Sequence, residues 1–141
     1  MSTEENKKLY YDAMDAFNRG DLDTYWGYFS PDFVNHSASL GGTLDLEGAK
    51  QSMQAELSAL PDLKLNVVDV VAEGDMVAAR GTMTGTQTGS FQGIAPTGKQ
   101  VSIESMVFLR IVDGKFVENW EVADTYGMMV QLGVIPEAKV A

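Results

Sequence analysis

The apolar positions of this chain change period once. As far as Leu60 they recur every three or four residues, as on one face of a helix. From Leu63 onward they alternate, as on a strand with one buried face. Leu9, Tyr10, Ala13, Met14 and Phe17 make the first helical stripe. Ser2 and Glu5 stand ahead of it at capping-box spacing. Gly20 suits the left-handed conformation that ends a helix. Asp21 then caps a short second helix carrying Leu22, Tyr25, Trp26 and Phe29, and Pro31 stops it. Residues 32–43 read as a short extended piece and a loop. Asp45 caps a third helix with Ala49, Met53, Leu57 and Leu60 on its buried face, and Pro61 ends it.

The alternating half predicts four strands. They cover residues 63–73, 76 to about 87, 100–112 and 115–124. Gly74-Asp75 marks a tight hairpin, and Asp113-Gly114 is a strong type I′ turn signal. The Gly/Pro-rich stretch 89–99 is a loop, and a last helical turn ends at Gly133. Helices first and strands later predict an α+β fold, with helices packed on one face of an antiparallel sheet. A length of 141 residues fits one domain, 1–141.

The Asp113-Gly114 turn also predicts a register. Ile111 pairs with Phe116, Val107 with Trp120, Ser105 with Val122 and Ile103 with Asp124. The face carrying Ile103, Val107, Leu109, Ile111, Phe116, Trp120 and Val122 is then apolar and packs under the helices. The same parity sends Asp124 inward. A carboxylate there is costly to bury when ionised, so it either caps the following helix or sits in a cavity with a raised pKa. The opposite face carries Met106 and Phe108 among charged residues. An exposed patch of that kind predicts a homodimer through the outer sheet face.

Charge and composition narrow the chemistry. A formal net charge of −10 disfavours nucleic acid as a partner. No apolar run approaches the roughly 20 residues needed to cross a bilayer, so no membrane partner is expected. The polar N-terminus lacks a signal core and reads as cytoplasmic. The absence of cysteine excludes thiol chemistry, and a single histidine, His36, excludes a histidine-based metal cage. No metal site is expected.

Residues 79–101 and 107–136 carry a set of short motifs. It comprises Gly85-Thr86 and Gly89, the run Pro96 to Lys99, Asp113 to Glu118 with Trp120, Asp124, and Gln131 to Gly133. The opening adds Asn18 to Asp21 and Ser30 to His36. Together these resemble the SnoaL-like polyketide cyclases of the nuclear transport factor 2-like superfamily. The resemblance implies a cone-shaped fold around an apolar pocket, with no metal or organic cofactor. It implies that Asp124 removes a proton next to a carbonyl, so that an enolate closes a ring by aldol addition. His36 would polarise or orient the substrate. Gln87 stands where family cyclases often carry histidine; it can donate a hydrogen bond but cannot shuttle a proton. Trp120, Phe17, Tyr25, Trp26, Phe29, Val107 and Val122 are the expected lining for an apolar small-molecule substrate. Two other functions fit the same fold: a non-catalytic small-molecule binding protein, and a limonene-type epoxide hydrolase. Arg80 and Arg110 fall on the parity opposite the pocket, which disfavours the hydrolase.

Overall fold

The computed structural model describes residues 1–37 and 41–138. Three helices come first: α1 (Thr3–Asn18), α2 (Leu22–Gly27) and α3 (Leu46–Ala59). Two strands, β1 (Phe29–Ser37) and β2 (Gly42–Asp45), separate α2 from α3. Four longer strands follow: β3 (Lys64–Glu73), β4 (Met76–Thr86), β5 (Gln100–Val112) and β6 (Lys115–Ala123). Helix α4 (Thr125–Gln131) follows β6. The six strands form one sheet in the order β2-β1-β6-β5-β4-β3. All neighbours are antiparallel except β1 and β6, which run parallel.

The caps form as the sequence predicts. Ser2 and Glu5 make the reciprocal capping box, and Asp21, Asp45 and Asp124 each accept from a backbone amide three residues on. Gly20 takes φ +77°, the left-handed value a helix end requires. Phe29 differs: it opens β1 rather than closing α2, so Pro31 lies within a strand. Part of the loop expected over 32–43 is strand as well, and its residues 38–40 lie outside the described residues.

Two sequence elements acquire a physical reason here. The Asn18 side chain pairs with both backbone groups of Leu65, donating to its oxygen and accepting from its nitrogen, each at 2.9 Å. It thereby occupies hydrogen-bonding groups of β3, an edge strand that would otherwise be open to pairing. Gln131 clamps Ser102 in the same reciprocal way, at 2.8 and 2.9 Å, and ties α4 to β5.

The core lies between the helices and the inner face of the sheet. Ala13, Ala16, Phe17, Phe33, Val77, Leu109 and Phe116 are buried there. Phe29 is the hub of an aromatic cluster, with Tyr25, Trp26, Phe33 and Phe116 at centroid distances of 4.8–5.1 Å.

The hairpin register holds for two pairs and then slips. Asp113 and Gly114 both take positive φ, 50° and 74°, as a type I′ turn demands. Val112 pairs with Lys115 and Ile111 with Phe116. Beyond them a β-bulge leaves Val117 without a partner on β5, and Arg110 pairs with Glu118. From there Phe108 faces Trp120 and Val107 faces Glu121. A one-residue slip exchanges the faces of every later side chain.

Candidate functional site

A cavity of about 190 Å³ lies between the inner sheet face and the helices. Tyr10 and Met14 of α1, Tyr25 and Trp26 of α2, and Met53 and Glu56 of α3 form one wall. Phe33, Asn35, Ser37, Ile103, Val107, Asn119 and Glu121 form the sheet wall. Phe91 and Gln92 close it from the loop, and Met128 from α4.

The bulge decides which carboxyl faces this space. Glu121 lines the cavity; burial raises its pKa above the ordinary glutamate value. Glu56 reaches the same cavity from α3. Burial, then the charge of Glu121, pushes its pKa up to about 7. Burial also raises the tyrosines beside them, Tyr10 to about 12 and Tyr25 further still, with the charge of Glu121 adding to both. Both phenols therefore stay protonated at neutral pH. Asn35 and Asn119 are register partners on β1 and β6. Both line the cavity, and neither amide oxygen has a hydrogen-bond partner among the described residues. An orphaned buried polar atom costs about 1–3 kcal/mol, so two side by side are unusual in a structural role.

Asp124 is elsewhere. It is exposed at the N-cap of α4, where Oδ1 accepts from the Gly127 nitrogen at 2.8 Å. The inward placement expected for it is corrected by the bulge, which the turn-based register did not include. The same slip moves Trp120 and Val122 to the outer face, where Val122 is 60% exposed. Neither lines the cavity.

His36 also lies on the outer face. It stacks on Trp120 at 5.1 Å and 9°, and Nε2 lies 2.7 Å from Glu118 Oε2. Arg110 joins this group through Asp75 at 3.0 Å and Glu118 at 3.7 Å. Arg80 pairs with Asp69 at 2.6 Å on the exposed surface.

Gln87 does point inward, but its amide is used up before the cavity begins. Nε2 donates to the Ile94 and Ala95 oxygens at 3.3 and 3.2 Å. Oε1 accepts from the Thr97 nitrogen at 3.1 Å and its hydroxyl at 2.7 Å. Gln87 therefore locks the loop 89–99 in place. Of the expected lining, Tyr25, Trp26, Phe29 and Val107 are present; Phe17 sits behind Tyr25, at a ring distance of 5.4 Å.

Sequence reasoning missed Glu56, Glu121, Asn35 and Asn119. Glu56 had a signal: it sits at a stripe position between Met53 and Leu60. Asn35 had a weaker one, sharing parity with Phe33 and Ser37. Glu121 and Asn119 depend on the bulge and had none. Among the described residues, no group of three or more His, Cys, Asp or Glu side chains is placed to hold a metal ion. No helix among them is long and apolar enough to cross a membrane.

A curved six-stranded sheet with helices packed on one face is the fold of the nuclear transport factor 2-like superfamily. The sequence model of the SnoaL-like polyketide cyclase family matches residues 8–132, and the chain belongs to that family. It is 29% identical to the aklanonic acid methyl ester cyclase AcmA of Streptomyces galilaeus, over 85% of each chain. Among solved structures it is similar to AclR of Streptomyces galilaeus, provisionally assigned as a hydroxylase. That match has 38% identity and a TM-score of 0.89, and covers 98% of this chain and 87% of AclR. It is also similar to IdmH of Streptomyces antibioticus, provisionally assigned as a polyketide cyclase. Identity there is 32% and the TM-score 0.82, over 91% of this chain and 98% of IdmH.

Proposed function

We propose that the protein is a cofactor-independent acid/base enzyme that enolises a hydrophobic aromatic carbonyl compound, as in polyketide aldol cyclisation. The observation that carries this reading is Glu121: a carboxyl inside an apolar cavity, with its pKa raised by burial. Desolvation makes it a stronger base than a surface glutamate and moves it toward working pH, where general bases are most effective. The role that the resemblance gives to Asp124 therefore passes to Glu121, three residues earlier on the inner face of β6. Glu56, across the cavity, holds a proton up to a pH of about 7. It is positioned to return a proton to the oxygen that becomes an alcohol on ring closure. His36 and Gln87 take no part in the chemistry in this reading. Tyr25, Trp26, Phe29 and Val107 bind the apolar rings.

The cavity is small beside the roughly 300–1,000 Å³ of most ligand pockets, so a bicyclic ketone is a suitable probe. The test is solvent deuterium exchange at the acidic carbon of 2-tetralone, followed by mass spectrometry. Wild type exchanges above the buffer rate and Glu121→Gln does not. Binding of 2-tetralone without exchange in wild type would instead indicate a carrier.

The higher identity to AclR favours a second reading, in which the same pocket serves a hydroxylation. Product mass separates the two on an aromatic polyketide substrate. An intramolecular aldol closure leaves the mass unchanged, whereas hydroxylation adds one oxygen atom.

The outer sheet face supports a homodimer. Met106, Phe108 and Val122 are 56%, 57% and 60% exposed there, beside Trp120. Sedimentation should show a dimer for wild type and a monomer for Phe108→Lys; a monomeric wild type at high concentration would refute it.

A further inference from the structure

We propose that Asn35 and Asn119 form an amide clamp that grips the substrate's carbonyl oxygen and holds it as the enolate forms. The inference rests on the enolising reading above and adds to it the group that receives the developing charge. The two residues are direct neighbours in the only parallel pairing among the described strands. Adjacent strands lie about 4.8 Å apart, so the two amides stand side by side. Glu121 lies two residues beyond Asn119 on the same face, about 6.6 Å along the strand. A carbonyl oxygen seated between the amides thus leaves its α-carbon within reach of the Glu121 side chain.

The amide oxygens are buried and unpartnered. The terminal torsion of asparagine is soft, so each amide can turn to direct N–H donors at a bound oxygen. Among the described residues no unpaired cation serves this purpose: Arg80 contributes to the cavity wall but its guanidinium is ion-paired with Asp69, and Arg110 is paired with Asp75 on the outer face. Neutral donors in a water-poor space are effective at such a site, because they are oriented before the charge appears. In the step itself the α C–H bond breaks and its proton passes to the Glu121 carboxylate. The C–H electron pair becomes the enolate C=C, and the carbonyl π pair moves onto the oxygen between Asn35 and Asn119.

Two measurements test the clamp, on Asn35→Leu, Asn119→Leu and the corresponding alanine variants. Leucine fills the same space and removes an orphaned polar group, so the Leu variants should fold at least as well as wild type. The first measurement is 2-tetralone deuterium exchange with Glu121→Gln as control. Each Leu variant is expected to lose about 10²–10³-fold in exchange rate at saturation, with its dissociation constant nearly unchanged. The second does not depend on turnover: absorbance titration of bound 2-naphthol, whose naphtholate resembles an enolate. The apparent pKa of bound 2-naphthol should be higher in each Leu variant than in wild type, by about one unit or more. Exchange that persists in both Leu variants while Glu121→Gln abolishes it would overturn the clamp and leave the base in place. Absence of exchange in wild type would remove the enolising reading, and the naphthol titration would still decide the clamp. A naphthol pKa equal in wild type and Leu variants, or no naphthol binding, overturns it.

Discussion

The two faces of β6 carry different chemistry from neighbouring residues. Glu118, Trp120 and Val122 face outward, where Glu118 bonds His36 and flanks Arg110. Asn119 and Glu121 face the cavity. Glutamates three positions apart thus have opposite environments. The outer one bonds the His36 ring and lies near the Arg110 guanidinium, in contact with solvent. The inner one is desolvated, which raises its pKa. Residue type alone does not separate the two; the extra residue Val117 does, by moving everything after it across the sheet.

The largest expected effect separates Glu121 from Asp124. Glu121→Gln should lower 2-tetralone exchange by about 10²–10⁴-fold, the usual contribution of a positioned base. Asp124→Asn keeps a good cap and should leave exchange unchanged. The opposite ranking would restore the unbulged register in solution.

A second test addresses Gln87. Its side chain makes four hydrogen bonds inside the structure. Gln87→Ala should cost about 2–4 kcal/mol in urea unfolding, because it leaves buried loop groups unpaired. If Gln87 were a catalytic donor instead, activity would fall with stability intact.

Stability against pH sharpens the comparison of the faces. Glu56 has a folded pKa of about 7 against 4.5 ordinarily. The folded chain therefore holds a proton that the unfolded chain releases between those values. Stability should fall as pH rises from 4.5 to about 7, by about 3 kcal/mol, and level off above. Glu56→Gln should flatten that slope. The smallest effect is Asp124→Ala, which should lose about 1 kcal/mol as a deleted helix cap.

Much of the architecture was legible in the sequence because it is local. Caps at Ser2, Asp21 and Asp45, the Asp113-Gly114 turn and the strand over 100–112 all depend on residues close together. The site was less legible because it is not local. Asn35 meets Asn119 only through a parallel pairing across the chain, and Glu56 meets Glu121 only when α3 lies over the sheet. The pattern of Trp120, Asp124 and Gln131 to Gly133 identified the family correctly, and two of its residues have visible structural partners. Asp124 caps α4, and Gln131 anchors that helix to Ser102.

The most direct measurement is a carbon-13 NMR titration of the Glu121 carboxyl, assigned by its loss in Glu121→Gln. A midpoint clearly above the ordinary 4.5 is expected for a side chain enclosed in the cavity. A midpoint at or below 4.5 would mean that Glu121 is solvated or ion-paired, and would contradict the account.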